Sequence, residues 1–170
     1  MKLRRLEIKD VPFMLEWMHD QDVCKYMNTN FATKTEIDCK KFIEDSWIDQ
    51  KNLHLAIANI NDEYLGTVSL KNIDYEKKIA EFAITIRKCA MGKNISTRAM
   101  HDILMKGVNK LKLGKIYWCV DRKNIRAVKF YDKNAYKRVL DVPTKIEQTY
   151  SEKELKKMIW YCFDNGEISC

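Results

Sequence analysis

Residues 79–95 constrain this chain more than any other segment. Ala80, Phe82, Ile84 and Ile86 alternate with Glu81, Ala83 and Thr85, which reads as a strand with one apolar face. The alternation gives way to a basic turn, with Arg87, Lys88 and Lys93 around Gly92. Helical spacing follows at Ile95, Ala99, Ile103, Val108 and Leu111, with Met100 and Leu104 beside them. A strand that runs through a glycine turn into a long helix gathers unpaired N–H groups and the positive end of a helix dipole at one point. That is a natural phosphate cradle. The expectation is a phosphorylated ligand at Gly92 and a second substrate brought to Glu81.

The flanking sequence supplies the rest of a sheet. Residues 2–9 read as a first strand. Asp10 as N-cap and Pro12 in the first turn open a helix striped by Val11, Met14, Leu15 and Met18. Thr33 and Glu36 read as the capping box of a second helix to about residue 48, with Ile37, Phe42, Ile43 and Trp47 inward. Residues 53–60 and 64–73 form a hairpin, and a polar turn at 74–78 leads into the strand at Ile79. Gly114 closes the long helix, and residues 115–121 are strongly β-prone. Asn124 opens a short helix with Ile125, Ala127, Val128 and Tyr131 patterned for packing. Residues 136–142 and 156–163 are late strands joined by a polar connection at 143–153. The order β-α-α-β-β-β-α-β-α-β-β predicts one α+β domain over residues 1–170. Its sheet is mixed, mostly antiparallel, of about seven strands, with helices on both faces.

Charge narrows the function. Residues 87–138 carry 15 Lys and Arg against 3 Asp and Glu, a basic island in a chain of net charge +7. Such an island attracts a polyanion, either nucleic acid or a multiply phosphorylated cofactor. Nucleic acid is disfavoured because the basic residues are not interleaved with a platform of exposed aromatics. The six cysteines, Cys24, Cys39, Cys89, Cys119, Cys162 and Cys170, form no Cys-x-x-Cys pair and no zinc-like spacing, so no metal is expected. Apolar runs fall far short of a membrane span, and the first residues lack the apolar block of a signal peptide. A cytoplasmic protein with reduced thiols, away from membranes, is expected.

Three stretches carry a family likeness: residues 64–70, Ala80-Glu81-Phe82, and the run from Asn124 through Ala127 to Tyr131. In order and spacing the chain resembles the GNAT N-acetyltransferase superfamily. It is most similar to the branch of ribosomal-protein N-terminal, polyamine and nucleotide-amino-sugar acetyltransferases. The resemblance implies acetyl-CoA as donor, held between two splayed strands at 79–86 and 115–121, and a small-molecule or peptide amine as acceptor. A homodimer is compatible with it. The family's pyrophosphate loop follows Gln/Arg-x-x-Gly-x-Gly/Ala. Here it reads Met91, Gly92, Lys93, Asn94, Ile95 and Ser96, so Met91, Asn94 and Ser96 depart from the pattern. Asn tolerates positive φ and Ser is small, so the loop is expected to keep its shape and bind through backbone N–H groups.

The chemistry assigns roles. An alkylammonium has a pKa near 10, so the amine must lose a proton before it attacks. Glu81, read as a lone carboxylate in an apolar strand with a raised pKa, is the candidate base, directly or through water. Tyr131, by match to the family's tyrosine, is the candidate acid for the leaving thiolate. Asn124 and Ala127 would meet the pantetheine arm. Ile84, Thr85 and Ile86 would offer backbone groups to the arm and the thioester, and Arg87 would add charge to the loop. Trp17, His19, Asp20, Tyr26 and Met27 are the candidate acceptor-pocket residues. The competing reading is a catalytically silent GNAT-like domain that binds CoA or a partner, and the altered loop is what favours it.

Overall fold

The computed structural model describes residues 1–168. Seven strands form one sheet: β1 (Lys2–Arg5), β2 (Leu53–Ala58), β3 (Tyr64–Asp74), β4 (Ile79–Ile86), β5 (Lys115–Asp121), β6 (Lys137–Val139) and β7 (Met158–Asp164), in the spatial order β1-β2-β3-β4-β5-β7-β6. Every pairing is antiparallel except β4 with β5. That parallel pair needs a crossover, and α4 (Ile95–Leu111) provides it. The mixed sheet with helices on both faces is therefore the expected one.

One face packs on α4 and α5 (Ile125–Lys133) through Phe82, Ala99, Met100, Ile103, Leu104, Ile116, Trp118 and Tyr131. The other is covered at one end by α1 (Val11–Met18) and α3 (Glu36–Ile48), with Met14, Trp17, Cys39, Ile43, Ala56 and Tyr64 buried together. The short helix α2 (Gln21–Cys24) follows α1. At the other end Ile79, Tyr117, Ile146, Trp160 and Cys162 make a separate cluster.

Several local expectations move. The capping box of α3 is Thr35 with Asp38, not Thr33 with Glu36. The helix therefore starts later, and its stripe rotates so that Cys39 and Ile43 face inward while Ile37 is 79% exposed. Trp47 sits half out, with its indole N–H donating to the Leu6 carbonyl at 2.8 Å. Asp10 stands before α1 without capping it. Its carboxylate instead takes the Arg4 guanidinium at 2.7 and 2.8 Å and the Glu7 N–H at 2.9 Å. Lys112, in the left-handed region at φ 57°, ends α4 in place of Gly114. Ile125 points to solvent. The strand expected at 136–142 shrinks to three residues. The polar connection folds into α6 (Thr144–Glu147) and α7 (Glu152–Leu155), which bury Ile146 completely.

Candidate active site

The parallel register between β4 and β5 lasts only three pairs, Ile79 with Lys115, Ala80 with Ile116 and Glu81 with Tyr117. Beyond Glu81, β4 stays on β3 as far as Ile86, and β5 stays on β7 as far as Asp121. Each strand is held on its outer side while the two diverge. Their facing backbone edges, 82–86 and 118–121, are left without a partner strand. A ligand that carries amides can lie in that gap as a surrogate strand, because strand edges are rows of unpaired N–H and C=O groups. Gly66 keeps the outer side tight: a Cβ there would lie 2.2 Å from the Thr85 carbonyl oxygen.

The wide end of the gap leads to the loop before α4. Gly92 has φ 76°, and Asn94 has φ 58° and ψ 13°. The left-handed turn expected of Asn94 is the one adopted. The Asn94 side chain does not cap the helix, so the first N–H groups of α4, from Ile95 and Ser96 onward, point into the loop without a side-chain partner. Lys93 is exposed beside them. Arg126 on α5 reaches across to Met91, with Nη2 2.8 Å from Sδ, and brings a guanidinium to the position where Met91 supplies no charge.

Arg87 is not part of this cradle. It is buried, donating to Glu16 at 3.1 and 2.6 Å, to Glu63 at 2.8 Å and to the Tyr64 carbonyl at 2.8 Å, with its guanidinium 4.4 Å from the Phe13 ring. It anchors the end of β4 to α1 and β3, a structural use that sequence charge alone did not reveal. Lys88 pairs with Asp22 at 2.8 Å.

Tyr131 and Glu81 lie on opposite faces of the sheet. Tyr131 is buried against Trp118, Phe130, Tyr136 and Tyr161, with ring centroids 5.1 to 6.3 Å away. Burial holds its phenol proton well above the ordinary tyrosine range. Asn124 opens α5 by accepting the Ala127 N–H at 3.2 Å. The Trp118 indole N–H, one residue past the last β4–β5 pair, is a buried donor with no partner among the described residues. Glu81 is only 2% exposed, and it is not the lone carboxylate expected. Lys71 Nζ and Asn72 Nδ2 each donate to it at 3.1 Å, and the Tyr150 hydroxyl makes a short bond to Oε1. Tyr150 comes from the connection between α6 and α7. Burial, with the Cys119 thiol and the Glu81 carboxylate nearby, raises its pKa. Burial also pushes the Cys119 thiol up to about 11.

On the Glu81 face, a cavity of about 440 Å³ opens between α1, α3 and the sheet. Thr67, Ser69, Ala83 and Thr85 lie on the sheet side, and Trp17, Phe31, Phe42 and His54 stand around it. His54 and Ser69 share a hydrogen bond at 2.7 Å, and burial lowers the His54 pKa. Of the expected acceptor residues, Trp17 is here. His19 and Met27 line a smaller cavity of about 250 Å³ on the far side of Met18. Asp20 caps α2 through the Asp22 N–H, and Tyr26 lies under Lys25; neither lines a cavity described.

An open strand pair, a left-handed loop and a helix start in this order match one known family. The profile of the acetyltransferase (GNAT) domain fits residues 1–137. The chain belongs to the GNAT acetyltransferase family. It is an N-acetyltransferase that moves an acetyl group from acetyl-CoA to an amine. The N-acetyltransferase p20 of Bacillus licheniformis is 27% identical over 139 residues, 80% of this chain and 78% of that one. Spermidine N(1)-acetyltransferase of Escherichia coli K12 is 29% identical over 137 residues, 78% of this chain and 70% of that one. The crystal structure of spermidine N-acetyltransferase from Vibrio cholerae in complex with CoA and spermine superposes with a TM-score of 0.81. The identity there is 19%, over 97% of this chain and 95% of that one, which speaks to the fold. No helix among the described residues is long and apolar enough to cross a membrane.

Among the residues of this candidate site that the sequence did not single out are His54, Ser69, Tyr150 and Arg126. His54 and Ser69 had a signal: with period two, His54 and Ala56 share a face, and Ser69 and Thr67 lie opposite them on β3. Tyr150 had none, because it reaches the site from a connection whose docking only the fold decides; Arg126 stands between Asn124 and Ala127 on α5 and was passed over.

Proposed function

We propose that this GNAT enzyme acetylates a small-molecule primary amine by direct attack in a ternary complex, with the two proton carriers on opposite sides of the sheet. The observation that carries the reading is the gap between β4 and β5 with Tyr131 below it and Glu81 at its apex. Acetyl-CoA would lie in the gap, its pantetheine amides on the edges at 84–86 and its pyrophosphate at Gly92, Asn94 and Ser96. Trp118 and Arg126 fit that placement: one is a buried donor suited to a carbonyl, the other a guanidinium suited to phosphate.

The neutral amine, its ammonium proton already given up to solvent, attacks the thioester carbonyl carbon from the α1–α3 side, and the C–S bond breaks to release the CoA thiolate. The proton lost by nitrogen passes to the Tyr150 oxygen as the Tyr150 proton passes to Glu81, a relay that the hydroxyl-to-carboxylate bond preforms. Glu81 is too buried to meet the amine itself. Tyr131, a weaker acid than an ordinary thiol near 8.5, donates a hydrogen bond to the departing sulfur. The named relatives make spermidine the first acceptor to try, and a homodimer or larger assembly is in keeping with the dodecameric spermidine N-acetyltransferase of Vibrio cholerae.

Glu81→Gln and Tyr150→Phe should each lower kcat by about 10²-fold. The double variant should be no worse than either single one, since the two act as a unit. Acetyl-CoA affinity and melting temperature should change little. Full activity in Tyr150→Phe would remove the relay.

A further inference from the structure

We propose that the preferred acceptor is a primary amine carried on one aromatic body, an arylalkylamine, and not a polycation. This rests on the reading above that the cavity on the Glu81 face receives the acceptor.

The walls of the cavity are two aromatic pairs. Trp17 and Phe31 meet edge to face with centroids 5.0 Å apart, and Phe42 and His54 lie 4.8 Å apart. Met14, Met18, Cys39, Ala83 and Ile84 complete an apolar lining. Trp17 is fixed, because its indole N–H donates to the Tyr64 hydroxyl at 3.0 Å. A flat ring therefore finds preorganised partners for edge-to-face contact, in a space of about 440 Å³ that holds a single-ring or double-ring amine.

The charges of the lining argue the same way. Two carboxylates, Asp38 and Asp45, face two ammonium groups, Lys34 and Lys41, so the lining is neutral. Both carboxylates are already engaged. Asp38 takes the Thr35 N–H at 2.7 Å and the Thr35 hydroxyl at 2.8 Å, and Asp45 pairs with Lys41 at 3.0 Å. Lys34 has no ion pair among the described residues, and its charge acts on Asp38. Burial lowers the His54 pKa, which disfavours a charge there. A polyamine would bring two or more further ammonium groups to a lining whose charges already sum to zero and in which Asp38 alone of the two carboxylates lacks an ion pair among the described residues. A monoamine brings only the nitrogen that must lose its proton to react.

The test is a comparison of kcat/KM for 2-phenylethylamine, the dipeptide Phe-Gly and spermidine, by release of CoA thiol, on the wild type and two variants. The expected result is at least a tenfold preference for 2-phenylethylamine over spermidine. Phe42→Ala should lose about tenfold on the aromatic amine, through KM, and little on spermidine. Lys41→Ala, which frees Asp45, should raise spermidine turnover severalfold. A preference for Phe-Gly over 2-phenylethylamine keeps the aromatic body and assigns its source to a peptide N-terminus. Spermidine equal to or better than both aromatic amines overturns the inference and leaves the acetyl-transfer reading standing. Binding of acetyl-CoA with no turnover of any of the three amines overturns both.

Discussion

The proposed donor gap and the proposed acceptor cavity meet at β4, yet they are made of different materials. The gap is backbone: two strand edges, a loop with left-handed residues at Gly92 and Asn94, and the first turn of α4. The cavity is side chain: Trp17 from α1, Phe42 from α3, His54 from β2, Ser69 from β3 and Thr85 from β4. A backbone site tolerates substitution wherever φ and ψ are kept, which is why Met91, Asn94 and Ser96 leave the loop intact. A side-chain site changes its ligand with each substitution. One scaffold can thus keep its acetyl donor while its acceptor drifts.

The sharpest way to break this comparison is to damage backbone geometry without touching a polar group. In Gly66→Ala the new methyl meets the Thr85 carbonyl oxygen at 2.2 Å, so β3 and β4 must part. The expected cost is about 1–3 kcal/mol of stability, with a loss of acetyl-CoA affinity of at least tenfold that calorimetry reads. An unchanged dissociation constant would mean that the strand edge does not hold the donor.

A smaller effect probes the cavity. Burial lowers the His54 pKa below its usual 6.5, so the folded state resists a proton that the unfolded chain accepts. The unfolded chain therefore binds more protons between the folded pKa and about 6.5, and stability should fall as pH drops through that window. Above about 6.5 both states carry neutral imidazole and this contribution is flat. His54→Gln should weaken the slope in a melting-temperature series from pH 7.5 to 5, leaving acetyl-CoA affinity unchanged.

The same division explains what the sequence could tell. Strand alternation at 79–86, the turn at Gly92 and the helical stripe of α4 are local patterns, and they locate β4, the loop and α4 almost residue by residue. Tyr131 and Asn124 stand on an element whose spacing repeats the family's. Arg87 misled because charge in sequence does not distinguish a cradle from a buried ion pair with Glu16 and Glu63. Glu81 was found but read as lone, because Lys71 and Asn72 come to it from β3, Asn72 at the bulge in that strand, and Tyr150 from a connection that looked like polar coil. His19, Asp20, Tyr26 and Met27 were drawn from one segment, whereas the larger cavity gathers its walls from α1, α3 and three strands. A site built across elements leaves no periodic trace in any one of them.

Calorimetric titration of the wild-type protein with acetyl-CoA is the most direct measurement, with free CoA and desulfo-CoA as comparisons. The prediction is single-site micromolar binding of all three, since backbone edges and the α4 start recognise the arm and phosphates more than the acetyl group. Absence of binding would contradict the central claim that the backbone at Gly92, Asn94 and Ser96 keeps the donor site despite its altered side chains.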